Sequence, residues 1–257
     1  MTFSEQIWYG LFKPSKYKEI LGLKASRSVL FVSVVVLVLG LVTFVVPTAA
    51  IIAGFGGMNK LFSETMAPIT YDGEKLTIEE PFRMTAGSAV FLIDTTYYTV
   101  PDKELTTDGT YFAIGSKNMR VVTVIGEEIW MDSIVPLEEI FGEGFSNDSL
   151  VSLIPAIYVS LFLCYLIMSF LFFLKYGFYA LILTIMYNSM NKQFELGLSF
   201  GQVFMLCFYG MSLGMIITNF NIAMRLISPT IVSMVTIFVS IHFMTTAMVS
   251  MRKDNQV

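Results

Sequence analysis

Between Ser28 and Phe55 the chain carries no charged residue. That run is longer than the roughly 20 residues a helix needs to cross a hydrocarbon core of about 30 Å. A backbone placed in lipid has to satisfy its N–H and C=O groups internally, so this run has to be a helix. A cleaved signal peptide is the competing reading, because Thr48-Ala49-Ala50 is a small-residue stretch. The polar region in front is long, however, and the apolar core exceeds roughly 15 residues, which together favour an uncleaved signal anchor. With 55% hydrophobic residues and a mean hydropathy of +0.69, the rest of the chain is also too apolar for an ordinary water-soluble domain.

Four further apolar runs follow. Leu150 to Leu174 ends at Lys175-Tyr176, a cation and an aromatic suited to a membrane interface. Gly177 to Met190 is short for a crossing and no loop separates it from the run before, so a continuation or an interfacial helix ending at Asn188–Lys192 is expected. Gly201 to Asn219 and Ser228 to Ser250 form a hairpin, with Ser228-Pro229 as N-cap and first-turn proline of its second helix. Lys13, Lys16, Lys18, Lys24 and Arg27 precede the first span against only Glu5 and Glu19, which keeps the amino terminus in the cytoplasm. Four spans then leave Lys175, Lys192, Arg252 and Lys253 inside and Arg225 in a short outer turn; a fifth crossing would move Lys192, Arg252 and Lys253 outside, against the positive-inside rule.

The segment between the first two spans holds most of the carboxylates, from Glu64 to Glu143. Short β-prone runs alternate there with turn residues: Leu76–Glu80, Ala89–Asp94, Tyr97–Val100, Thr110–Ile114 and Met119–Ile125, with Glu128–Ser133 as a sixth candidate. Tyr71-Asp72-Gly73, Pro101-Asp102, Thr107-Asp108-Gly109 and Gly126 supply the turns, and a short helix is expected to begin at Pro136. The expected fold class is therefore membrane α-helical, with about four transmembrane helices and a small extracytoplasmic β-rich domain inserted between the first and second. Its parts are residues 1–27, an amphipathic and basic cytoplasmic segment; 28–55, a transmembrane helix; 56–148, the extracytoplasmic domain; and 149–257, a helical membrane domain.

Chemistry is sparse. The four expected spans contain no acid, lysine or arginine, which argues against an ion relay. His242 is the single histidine and reads as a hydrogen-bonded packing residue, so zinc motifs and a Ser-His-Asp triad lack their parts. Gly54-Phe55-Gly56-Gly57 lacks the Gly-Lys-Ser/Thr of a phosphate loop, and the acidic run Asp132–Asp148 lacks calcium-loop spacing. Cys164 and Cys207 lie in apolar runs as packing residues. No enzyme activity, cofactor, metal or nucleic acid is expected.

Three groups merit placement. Asp94, Thr95, Thr96, Tyr97 and Tyr98 combine an acid, hydroxyls and aromatics that suit a sugar or peptide ligand, although an Asp beside Thr more often closes a turn on its own backbone. Gly210 and Gly214, in a Gly-x-x-x-Gly pattern, suit close helix packing, within the chain rather than between copies. Phe3, Ile7, Trp8, Leu11 and Phe12 lie near one helical face before Pro14, and Trp8 with Lys13, Lys16 and Lys18 suits contact with an anionic membrane surface.

Tyr9-Gly-Leu-Phe-Lys-Pro-Ser-Lys-Tyr17, Val90-Phe-Leu-Ile-Asp-Thr-Thr96 and Leu198-Ser-Phe-Gly-Gln-Val-Phe-Met-Leu-Cys-Phe-Tyr209 resemble a family of Gram-positive multi-pass membrane proteins of unknown function, which includes MalA, a maltodextrin utilisation protein. The last segment is also similar to a helix of the broader Yip1-like membrane group. Where relatives often place a proline soon after that tyrosine, this chain has Gly210-Met-Ser-Leu-Gly214. The resemblance implies the same layout and a role beside carbohydrate uptake; it carries no catalytic residues. The expected function is an accessory protein in the cell membrane whose outer domain contacts an ABC transporter or other membrane protein, a binding protein or envelope material. A sensor coupling an external ligand to the basic segment is the first alternative. A small-solute transporter using Thr218, Asn219, Asn221 and His242 is the second.

Overall fold

The computed structural model describes residues 1–86, 89–126, 128–224 and 226–254, so the expected place of Arg225 in the hairpin turn lies outside the described residues. The chain divides into two compact units, residues 1–46 with 162–257, and residues 47–161.

Helix α1 (Phe3–Phe12) opens on a capping box in which Thr2 and Glu5 each accept the other's backbone N–H. Pro14 stops it and starts a single 3-10 turn, Pro14–Lys16, that leads into α2 (Tyr17–Leu21). α3 (Ala25–Gly40) passes through a π-helical turn at Leu41–Val45 into α4 (Val46–Gly54), one apolar helical run from Ser26 to Gly54. Pro47 explains the widened turn: it has no N–H to donate, and its ring crowds the carbonyl of the preceding turn.

A three-residue turn, α5 (Met58–Lys60), precedes the strands and α6 (Asn147–Ser152) follows them. α7 (Ile154–Gln193) runs 40 residues without a break, about 60 Å at 1.5 Å per residue. Residues 177–190 therefore continue this helix and make no separate return. The helix does not end at Lys175, where the sequence suggests the close of a span: 21 helical residues precede it and 18 follow. Lysine is a good helix former, Gly177 is tolerated, and nothing here breaks the ladder. α8 (Phe200–Met224) and α9 (Pro229–Asp254) form the hairpin. Four helices are thus long and apolar enough to cross a membrane, the first near the amino terminus.

The helical unit packs around Tyr17, Phe31, Leu39, Phe208, Tyr209, Met215, Met244 and Met248. Tyr209 stacks on Phe31 at 4.2 Å between centroids and accepts a 2.6 Å hydrogen bond from Gln6 Nε2, which also donates to Arg27 O. Gly10 is what lets α1 come this close, since a Cβ there would stand 2.7 Å from the Tyr209 ring. The expected amphipathic face of α1 consequently splits: Phe3 and Ile7 pack inward with Gln6 and Gly10, while Trp8 and Phe12 face out.

In the second unit β1 (Ile69–Tyr71) and β2 (Leu76–Ile78) pair across Asp72-Gly73, where Asp72 Oδ1 accepts from the N–H groups of Glu74 and Lys75 and Gly73 takes φ +95°. β3 (Phe82–Ala86), β4 (Ala89–Ile93), β5 (Gly109–Ile114), β6 (Asn118–Ile125) and β7 (Glu128–Pro136) form a sheet in that spatial order, antiparallel except for the β4/β5 pair, which is parallel. Alternation points Val90, Leu92, Tyr111, Ala113, Val122 and Val124 to one face, where Val100 and Leu105 of the β4–β5 crossover cover them. Ile93 and Leu137 belong instead to a core with Ile69, Tyr71, Leu76 and Ile78.

Tyr97–Val100 is not a strand. A parallel neighbour for β4 requires a crossover, and these residues open it. β1 and β3 were not anticipated, being three residues long and interrupted by Arg83 and Thr85 respectively, and the helix expected at Pro136 is a 3-10 turn over Leu137–Glu139.

Candidate functional site

The five residues Asp94–Tyr98 do come together, in a turn. Asp94 Oδ1 accepts from both the Thr96 N–H (3.0 Å) and its hydroxyl (2.6 Å), and Thr95 Oγ1 accepts from Ile78 N. Tyr97 donates its hydroxyl to Glu104 and lies under Lys103, while Tyr98 is exposed beneath Lys117. The carbonyls of Tyr97 and Tyr98 accept the N–H groups of Ser116, Lys117 and Asn118, tying this turn to the β5–β6 turn. Gly115 permits that approach: a Cβ there would overlap Tyr98 O and stand 2.8 Å from Tyr97 O. Gly115→Ala is therefore expected to cost about 1–3 kcal/mol and to raise the hydrogen exchange of the Ser116–Asn118 amides.

Below this turn Arg120 is 8% exposed and fully engaged. Its Nε and Nη2 donate to the two carboxylate oxygens of Asp132 at 2.9 and 2.7 Å, and its Nη1 to Val100 O at 3.0 Å and Asp102 at 2.7 Å. The guanidinium holds the Asp132 carboxyl below the usual carboxylate range. This cluster fastens the crossover to β6 and β7.

β7 is an edge strand, bulged opposite Thr123/Val124, and every residue from Glu128 to Ile134 is exposed. Trp130 is 69% exposed, and Ile129, Met131 and Ile134 are open as well. The crossover cover reaches β6 and stops, leaving Ile129 at the wall of a 370 Å³ hollow with Leu105 and Val124. A second cleft of about 690 Å³ is lined by Glu64, Glu79, Glu80 and Asp148 among others. Among the described residues no group of three His, Cys, Asp or Glu is placed to hold a metal ion. The Glu128–Ser133 run was legible as a strand. Its edge position was not, because pairing order is a long-range property.

In the helical unit Gly210 faces Met244 and Gly214 faces Thr236, so the Gly-x-x-x-Gly pair seats α8 on α9 within the chain. Thr236 donates to Gly214 O, and its hydroxyl lies 2.6 Å from that of Thr218. Asn219 donates to Tyr176 OH and Met215 O, leaving Oδ1 buried without a partner, and Asn221 brackets the turn by pairing with both backbone groups of Ile227. His242 faces outward on α9 with Ile231, Val235 and Phe238; it is not the packed, hydrogen-bonded histidine expected, because its helical position shares their face. At the amino terminus Trp8 and Phe12 pair at 4.7 Å on the exposed side of α1, Lys13 lies over Tyr9, Lys16 bridges Glu19 at 2.7 Å, and Lys18 is exposed.

No curated protein and no solved structure matches this chain. A family model described as "Protein of unknown function (DUF1189)" matches residues 4–250. That match takes in most of both units and reaches into all four apolar helices, and the chain is a member of the DUF1189 family.

Proposed function

We propose that the chain is a non-enzymatic accessory protein of the cell membrane, whose β-rich unit lies outside the cytoplasm and docks an extended segment of a transporter subunit, binding protein or envelope component along β7. One observation carries this reading: a nine-residue edge strand that exposes Ile129, Trp130, Met131 and Ile134 together. Proteins normally blunt such edges with charge, proline, a bulge or cover, because unpaired N–H and C=O groups beside apolar side chains recruit another strand; β7 carries a bulge opposite Thr123/Val124 yet keeps these side chains exposed. Here Glu128 and Asp132 are the acids in the strand, Asp132 is neutralised by Arg120, and Pro136 stands at the far end. Strand addition gives affinity through the backbone and specificity through the alternate side chains.

The basic flank of α3 supports a cytoplasmic amino terminus, and the cations closing α7 and α9 support a cytoplasmic carboxyl terminus. The resemblance of the three quoted segments to a family that includes MalA is the ground for placing the partner in maltodextrin uptake, with an ABC transporter as the first candidate. A photo-crosslinking residue at Trp130 in native membranes is expected to capture a discrete envelope protein. Trp130→Asp with Ile134→Lys is expected to cut recovery of that protein by more than about tenfold at unchanged chain abundance, the scale of losing an aromatic anchor. No crosslinked protein, or the same set captured from Tyr98, would overturn the reading.

A further inference from the structure

Lys175 is a cation in the wrong company. α3, α7 and α8 contain no carboxylate, and α9 carries one only at its last residue, Asp254. Among the described residues no carboxylate lies within ion-pair distance of Lys175; its ammonium sits 5.3 Å from the centroid of the Tyr176 ring. Charges within apolar helices are costly and are retained where they meet a counter-charge.

The counter-charge has a place to sit. Lys175 borders a groove of about 440 Å³ between α7, α8 and α9, whose walls are mostly apolar, Ile182, Leu183, Met211, Met215 and Ile237 among them. Polar groups line the same groove: Tyr179 and Ser233 are exposed, with no hydrogen bond to their hydroxyls among the described residues, whereas Thr218 and Thr236 are already paired. Thr218 is six residues from the end of α8 and Ser233 four from the start of α9, about 9 and 6 Å along the axes. The cation and hydroxyls thus stand near the closed end of the hairpin, with the apolar walls running away from it along the helices.

We propose that this groove binds an anionic phospholipid. Its phosphate is held by Lys175 with Tyr179 and Ser233 as neutral donors, and its acyl chains lie along Ile182, Leu183 and Ile237. Charge complementarity selects the occupant: Lys175 is the one charged residue among those lining the groove, which calls for an anion, and the apolar walls call for one with hydrocarbon attached. A zwitterionic lipid fills the walls equally well but brings its own cation to Lys175. The inference stands apart from the docking function of β7 and is tested without it.

The experiment is native mass spectrometry of the full chain from mild detergent, titrated with phosphatidylglycerol, phosphatidylcholine of the same acyl chains, or inorganic phosphate. Wild type is expected to prefer phosphatidylglycerol by about fivefold, the scale of one lysine at an anionic headgroup. Lys175→Arg keeps the preference, Lys175→Gln abolishes it, and Lys253→Gln leaves it unchanged. Equal binding of both lipids by wild type, an undiminished preference in Lys175→Gln, or displacement of the lipid by inorganic phosphate at equal concentration would each overturn the proposal. Should Lys175→Gln fail to fold, phosphatidylglycerol with a photoreactive acyl chain decides on the wild-type protein. Labelling of residues 179–183 or 233–241 upholds the groove, and labelling elsewhere alone refutes it.

Discussion

Gly214→Ala is expected to destabilise the helical unit by about 2 kcal/mol, and Thr236→Ser in the same chain to recover most of that loss. The added Cβ would stand 2.5 Å from Thr236 Cγ2 and 3.3 Å from Thr236 O. The side-chain contact cannot slide away, because a β-branched residue in a helix is held to one or two rotamers and its hydroxyl is bonded to Gly214 O. Serine removes the obstructing methyl while keeping the hydroxyl. The pair should then show a coupling of at least about 1 kcal/mol in a double-mutant cycle, measured by denaturant unfolding in detergent micelles. Gly210→Ala provides the graded comparison: its Cβ meets Met244 Cγ and Sδ at 3.0 and 3.2 Å, atoms of a flexible side chain, so its cost should be the smaller. Equal costs at the two glycines, with no rescue by serine, would mean that backbone proximity rather than the Thr236 methyl sets the limit.

The second large effect belongs to the β-rich unit. Arg120→Met leaves Asp102 and Asp132 without their cation, frees Val100 O, and loosens the crossover from β6. Breaking a buried ion pair on one side costs about 3–5 kcal/mol. Asp102 is 69% exposed and Asp132 about a third, so both acids rehydrate and about 2–3 kcal/mol is expected. The pH dependence follows from Asp132, whose folded-state pKa is depressed by the guanidinium. Such a group contributes stability that is present above its unfolded value of about 3.9 and lost as pH falls through the folded value. Wild type should therefore lose protection of the β5 and β6 amides progressively below about pH 4. Arg120→Met, having lost the pairing already, should show a shallower slope there. Hydrogen exchange on the full chain reads both quantities.

The helices were legible because hydropathy and length are local properties. Ser28–Phe55 announced its crossing with no knowledge of what packs on it, and Gly210 and Gly214 announced a close approach by their size. What the sequence withheld was pairing. Nothing near Gln6 says that its amide meets Tyr209, more than two hundred residues away, or that Gly10 exists to make room for that ring. The strand runs were found mostly where β-branched and aromatic residues cluster, and missed where pairing alone makes the strand, as at Ile69–Tyr71. Tyr97–Val100 was misread for the converse reason: its composition suits a strand, but its carbonyls are committed to the β5–β6 turn. The Asp94–Tyr98 cluster also changed character. Its acid and hydroxyls, attractive as a ligand site, spend their hydrogen bonds on the turn, and the open chemistry lies on β7 and beside Lys175.

The parallel join of β4 to β5 bears on how this unit is assembled as the chain folds. β5, β6 and β7 are linked by short reversals and close their contacts locally, whereas β4 has to wait for residues 94–108 to be threaded over the face they cover. β5 is therefore expected to stand for a time as an open edge, as β7 does in the folded sheet of this chain. In the folded unit Arg120 holds both Asp102 and Val100 of the crossover, so the cation that pairs β6 with β7 also ties down the segment that the parallel join requires.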